Sequence, residues 1–280
     1  MLHETVSARV ADAINHNVAN AQEPGPSLFD IYCKHFMVVP ANGAALKERF
    51  YKLRYQVYCL ENSFEDASAH PDGVEMDEFD VHSVNSLLIH IPTGMVAGGI
   101  RLILPRNGES DLPVWRVCDR DVVANKAAYV PAARTAEVSR NSISKEFRQL
   151  CARAVDAEGR HELRRVMRHL SLGSLAAVIR MAHGHGITHI TAAMEAPMLR
   201  MFGSLGLYFQ KLGGTVEYHG VRQPAYADLD SLLARAWVER PDVWEILTHR
   251  GKYWALNEPL AQAIAAGVHG RSVVQLSSAR

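Results

Sequence analysis

The sequence predicts an α+β fold, a mixed and mostly antiparallel sheet flanked by helices. Three observations point there. Residues 44–61, AALKERFYKLRYQVYCLE, set Leu46, Phe50, Leu53, Val57 and Leu60 at three- and four-residue spacing, one stripe of an amphipathic helix. VNSLLIHI and MVAGGIRLIL, residues 84–91 and 95–104, flank a Pro-Thr-Gly turn and read as a hairpin. Further on, strand-like TAEVSRNSIS and THITAAME are separated by a long helical pattern.

Taken in order, residues 1–30 end in the Pro/Gly break EPGPS and read as a loosely attached leader. The 44–61 helix follows, with Arg54 on its flank beside Tyr51 and Tyr58. Then comes HPDGVEMDEFD, which loads Glu75, Asp77, Glu78 and Asp80 just ahead of the first hairpin strand. In the second strand Val96, Gly98, Ile100, Leu102 and Leu104 share one face, and Ala97, Gly99, Arg101 and Ile103 the other. The small residues beside Arg101 leave room for something to lie against that face. Residues 105–133 show little periodicity. After TAEVSRNSIS, a helix is expected from Glu162 to Ile187, closing at Gly184 or Gly186. THITAAME gives a strand, and Pro197 suits the first turn of the next helix. Residues 209–229 read as a pair of strands or one bent strand, and the remainder as two or more amphipathic helices. The domain reading is a leader (1–30), a main domain (31–222) and a C-terminal helical extension (223–280).

The 280 residues are 48% hydrophobic, ample for a core, and carry 30 basic and 30 acidic side chains. Zero net charge gives no general affinity for nucleic acid or anionic membrane. No apolar run reaches membrane-spanning length, and residues 1–30 lack a signal-peptide pattern, so a soluble cytoplasmic protein without stable membrane insertion is expected. Cys33, Cys59, Cys118 and Cys151 are far apart and read as free thiols. His183 and His185 in AHGHG have no evident further ligands, and a Gly-rich helix end explains them better than a metal. His82 and His90 have no evident partners.

The charges suggest a site. Arg54, Glu75, Asp77, Asp80, Arg101, Glu137 and Arg140 lie on separate elements around the hairpin and converge on one cleft if the hairpin and the EVSR strand share a sheet. Buried charges persist only when paired, so acids and arginines in a common site account for each other. The alternative is a set of surface ion pairs. Strand residues three apart point to opposite faces, so Glu137 and Arg140 converge only if a β-bulge re-aims one of them.

In order and interval, RYQVYCLE, GVEMDEFD, GGIRLILP and EVSRNSIS resemble the autoinducer-synthase-like branch of the GCN5-related N-acyltransferase fold. The fuller match, with HPDGVEMDEFD and the strand–helix order through GLYFQKLGG, is similar to N-acyl amino acid synthases, specifically the acyltransferases of PEP-CTERM/exosortase systems. It covers roughly residues 47–220. The resemblance implies a three-layer α/β/α fold and transfer of an acyl chain from an acyl carrier protein thioester to an amine, with no cofactor. It also implies a polar cluster of Arg54, Asp77, Asp80, Arg101, Glu137 and Arg140, with Glu137 as base. Glu75 and Ser139 fall inside the same motifs. Asn141 stands where lactone-forming synthases carry an aromatic residue, and those chains lack the long C-terminal part; both points disfavour lactone formation.

Aminolysis of a thioester needs a neutral amine, a carbonyl held beside it and donors for the oxyanion. An α-amine has a pKa of about 8, so one proton must leave near neutrality. Burial of Glu137 would strengthen it as a base, whereas Arg140 would oppose that shift. The arginine forks suit an amino acid's carboxylate, and N–H groups at a bulge would face the thioester oxygen. No Cys–His pair or G-x-S-x-G elbow announces a nucleophile, so direct transfer is expected. Met194, Met198, Met201, Phe202 and Leu205 are candidates for the wall of an acyl channel, or ordinary core. Arg160, Arg164, Arg165 and Arg168 form a basic patch that would meet a phosphopantetheine or an acidic carrier protein, or else a solvated helix face. The usual coenzyme A signature, R/Q-x-x-G-x-G/A, is absent, favouring the carrier protein over acyl-coenzyme A as donor. A non-catalytic acyl-binding module of an export system is the alternative from another class.

Overall fold

The computed structural model describes residues 26–106, 111–153, 167 and 170–267. Ser27 opens the first described helix, α1 (Leu28–His35), its hydroxyl accepting from the Asp30 N–H at 3.1 Å. Strand β1 (Phe36–Pro40) follows, then α2 (Ala44–Arg54), which runs directly into a π-helical segment, Tyr55–Glu61. The hairpin is β2 (Ser83–His90) and β3 (Met95–Ile103), with Gly94 at φ +66° in its turn. The described part of the aperiodic stretch includes the short helices α3 (Pro113–Val117) and α4 (Arg120–Ala124). Next come β4 (Thr135–Ile143), α5 (Lys145–Arg153), α6 (Leu170–Gly184), β5 (His189–Met194) and α7 (Ala196–Ser204). Short β6 (Gln210–Lys211) and β7 (Val216–Glu217) precede β8 (Val221–Asp228). The helices α8 (Leu229–Glu239), α9 (Pro241–Thr248) and α10 (Glu258–Ala265) close the described chain.

The sheet order is β1-β2-β3-β4-β5-β8-β6, with β7 also pairing β8. Every pairing is antiparallel except β4–β5. Helices cover both faces, as the three-layer α+β class requires. Leu87 packs with Phe50 and Leu53 of α2, whereas its neighbour Leu88 packs with α6, the alternation of a strand buried on both faces. The room beside Arg101 is filled by the chain itself: a Cβ on Gly99 would lie 2.7 Å from the Phe50 ring.

Several expectations need correction. Leu60 is 61% exposed while Cys59 is buried, because a π-helix turns less per residue than an α-helix and rotates the apolar stripe after Arg54. Val96 packs with the α2 cluster and Ala97 with the opposite one, because the β2–β3 register shifts between Leu88 and Ile89. His90 has a partner, its Nδ1 lying 2.9 Å from Thr93 Oγ1. The division at 222/223 falls within β8, a strand paired with β7 at Val221 and Arg222 and with β5 from Gln223 to Asp228. Helices α8 and α9 share one core with α1 and α6. The start of the long helix and the basic patch of Arg160, Arg164, Arg165 and Arg168 lie outside the described residues.

Candidate active site

The acids ahead of β2 have a local reason for their spacing. Glu78–His82 forms a 3-10 turn whose N-cap is Asp77. Asp77 Oδ1 accepts from the Phe79 N–H at 2.9 Å, and Asp80 Oδ2 accepts from the Asp77 N–H at 2.8 Å. This is a capping box built from two aspartates, and it fixes where their other oxygens point.

They point at arginines. Arg54, fully buried on α2, donates through Nε and Nη2 to both Glu75 oxygens at 2.5 and 2.8 Å, and through Nη1 to Asp80 Oδ1 at 2.6 Å. Arg101, buried on β3, grips Asp77 in a fork at 2.6 and 2.8 Å and donates through Nε to Ser139 Oγ at 2.9 Å. Arg140 donates to Glu75 and, at 2.9 Å, to Glu65, with Asp77 Oδ2 at 3.1 Å; its guanidinium lies over the Tyr58 ring. Paired forks of this kind make burial of ions tolerable. Burial would raise the Asp77 carboxyl, but the bonds and charge of Arg101, with Arg140 and Arg54, bring it down to about 2. Burial likewise opposes ionisation of Glu75, and the Arg54 fork outweighs it. Glu75 in turn holds Arg140 protonated: its desolvation is outweighed by the charge and hydrogen bonds of Glu75, with Asp77 adding to them, and its pKa is raised.

Arg140 reaches this network through a bulge. Arg101 pairs with Ser139 and Gly99 with Ser142, so β4 carries one residue more than β3 across this interval, and Arg140 adopts φ +49°. The expected re-aiming of one side chain is therefore present.

Glu137 stands apart from the ion pairs. It is 3% exposed, and its Oε2 accepts from the Val114 N–H at 2.7 Å. Among the described residues no arginine or lysine forms an ion pair with it. Val114 is presented by α3, which packs through Leu112, Val114 and Trp115 against Ile103 and Leu212. Burial pushes the Glu137 carboxyl up to about 8, with Asp77 adding to the rise and the Val114 N–H, Arg101 and Arg140 opposing it. Six of the seven expected charges thus meet in one network, joined by Glu65 and Ser139, while Glu137 lies beside it.

What unites them is a cleft. Strands β4 and β5 pair only from Thr135–Glu137 to His189–Thr191, and then part. The cavity between them has a volume of about 230 Å³. Its lining combines polar Asp77, Arg101, Glu137 and Arg140 with apolar Leu175, Ile190, Met194, Met198, Phe202 and Phe209. Three of the five expected wall residues line it. Met201 and Leu205 pack in the core instead, since a helix shows the cleft only one face.

Sequence reasoning missed the outer wall. Tyr218 and His219, at the tip of the turn between β7 and β8, line the cleft, as do Phe64 and Arg222. Arg222 pairs with Glu195, and its guanidinium lies over Phe64. The φ of +53° at His219 before Gly220 marks this turn, and the HG pair in YHGVRQ was its signal. Glu65, in ENSFED, had none beyond its charge. His185 Nδ1 lies 2.8 Å from the Met181 carbonyl at the end of α6, with Gly186 at φ +64° beyond it, a helix C-terminus.

Residues 53–155 match the family described as the acetyltransferase (GNAT) domain. No curated protein sequence matches the chain. The crystal structure of TofI in a ternary complex with an inhibitor and MTA is 19% identical, covering 75% of this chain and 99% of its own at a TM-score of 0.51. FeeM, an N-acyl amino acid synthase from uncultured soil microbes, is 11% identical over 71% of this chain and 94% of its own, with a TM-score of 0.47. BjaI, a CoA-dependent acyl-homoserine lactone synthase solved with SAM and isopentyl-CoA, is 21% identical over 77% and 88%, at 0.48. The likeness to TofI shows the fold, and the matched segment is an acyltransferase-type domain.

Proposed function

We propose that this protein is an N-acyltransferase that moves a long-chain acyl group from an acyl carrier protein thioester to the amine of an amino acid or similar acceptor, by direct aminolysis. The observation that carries this reading is the cleft where β4 and β5 part. It brings a buried carboxyl, Glu137, together with members of the ionic network and a set of apolar side chains. Chemistry of this kind needs three provisions, and each has a candidate. The apolar lining, through Met194, Met198 and Phe202, takes the hydrocarbon. The main chain of the bulged strand offers N–H groups along the open edge. Glu137 offers a buried carboxyl to the reacting carbonyl.

The network acts chiefly as scaffold. Arg54 and Arg101 are engaged by Glu75, Asp80 and Asp77, so they hold the turn and the strands in register. That differs from the expectation that their forks bind the acceptor's carboxylate. Asp77, Arg101 and Arg140 line the cleft, and Arg140, 11% exposed in its side chain, is the most open of the three arginines. The HPDGVEMDEFD motif supports association with a PEP-CTERM/exosortase system, and the missing coenzyme A signature supports the carrier protein as donor.

Incubation with a long-chain acyl carrier protein and a panel of amino acids, read by mass spectrometry, tests the proposal. An acylated amino acid is expected, lost or strongly reduced in Arg140→Ala. A lactone formed from S-adenosylmethionine would assign the chain to autoinducer synthesis instead, and acyl binding without product would make it a non-catalytic acyl-binding module.

A further inference from the structure

This inference rests on the acyltransferase reading and concerns the part Glu137 plays in it. We propose that Glu137 meets the thioester as a neutral carboxylic acid, donating a hydrogen bond from Oε1 to the carbonyl oxygen, rather than as the base that deprotonates the amine. The charges around it leave an anion there without support. Arg101 is spent on Asp77 and Ser139, and Arg140 on Glu65, Glu75 and Asp77. An ionised Glu137, 3% exposed, would keep one N–H and no counter-ion of its own. Its neutral form fits the site. The Val114 N–H occupies Oε2, so the proton sits on Oε1, and Glu137 lines the cleft. The groups that bear on its charge are Asp77, which disfavours ionisation, and Arg101 and Arg140, which favour it; Tyr218 from the β7–β8 turn and Cys118 from the end of α3 also lie close enough to couple to it. Burial dominates and keeps it protonated up to about pH 8.

The step balances without a protein base. The lone pair of an already neutral amine forms the N–C bond, and the carbonyl π electrons move to oxygen, where the Glu137 hydrogen bond strengthens. Collapse re-forms the carbonyl and breaks the C–S bond, and the ammonium proton passes to sulfur. Glu137 ends the cycle with its own proton. A buried acid kept neutral so that it can donate is an established device for oxyanions.

The test uses hydroxylamine, an acceptor already neutral above mildly acidic pH, with decanoyl-pantetheine as donor and hydroxamate as readout, corrected for the uncatalysed rate, across about pH 6–10. The expected kcat/KM is level at first and falls about tenfold per pH unit above about 8. Glu137→Gln, whose amide still donates, is expected to stay within about tenfold of the parent and to lose the alkaline fall. A rate that climbs about tenfold per unit to a plateau, with Glu137→Gln down by roughly 10²–10⁴, would overturn the inference and leave the acyltransferase reading in place. Absence of hydroxamate at every pH, with donors on pantetheine and on carrier protein alike, would overturn both. The infrared carbonyl band of a protonated carboxyl, present near neutral pH and missing from Glu137→Gln, reads the resting state independently of turnover.

Discussion

Asp77 and Glu137 border the same cleft, yet their surroundings drive their acidities in opposite directions. Asp77 is held at about 2 by its arginines, below the ordinary 3.8. Its contribution to stability is present above that unfolded value and is lost as pH falls from about 4 through about 2. Glu137, at about 8 against 4.5, has the opposite sign: the folded state binds its proton more tightly, so stability declines as pH rises from about 4.5 through about 8. Glu137→Gln is therefore expected to raise Tm relative to the parent by an amount that grows up to about pH 8 and then levels off, which thermal melts at a series of pH values would measure. Asp77→Asn keeps a capping oxygen but removes the carboxylate that Arg101 grips, and urea melts are expected to show a loss of about 3–5 kcal/mol, the usual cost of breaking a buried ion pair. The pairing of Asp77 and Asp80 with arginines was legible in the sequence, because charges ahead of a buried strand need partners. The isolation of Glu137 was not. It depends on α3 covering the carboxyl, and the 105–133 stretch carries no periodicity from which that packing could be read.

At the scale of elements, the hairpin, β4, β5 and the end of α6 were all legible from alternation and from glycine. What escaped were local departures from ideal geometry. The π-helical continuation of α2 moves Leu60 outward, and helical spacing alone gives no warning of a change in turn. The bulge was anticipated from the charge pattern: Glu137 and Arg140 made chemical sense together only if the strand broke its period between them. Gly99 shows what close packing demands of such elements. With the Phe50 ring 2.7 Å from its missing Cβ and Leu53 at 3.2 Å, Gly99→Ala must displace the Phe50 ring or the helix α2 that carries it and Arg54. Overpacking of this kind costs about 1–3 kcal/mol. The expected result is a lower denaturation midpoint, with partial recovery when Phe50→Leu is added.

For the molecule as a whole, the leader boundary and the C-terminal division were the least legible features, because a hydrophobic core joins elements that are distant in sequence. Helix α1, which starts 213 residues before α9, packs in the same cluster, and Arg250 reaches back to Asp30 at 3.2 Å. Truncation after Asp228 would strip Leu229, Leu232, Leu233, Val243 and Leu247 from that cluster. The truncated chain is expected to lose its cooperative thermal transition, by circular dichroism, rather than to persist as a separate domain. The seam between β4 and β5 has a mechanical consequence. Only three residue pairs, Thr135–His189 to Glu137–Thr191, stitch four strands on one side to four on the other. A cargo wedged into the gap must load that stitch first, so amide deuterium uptake at these six positions becomes a gauge of occupancy that needs no knowledge of what is carried.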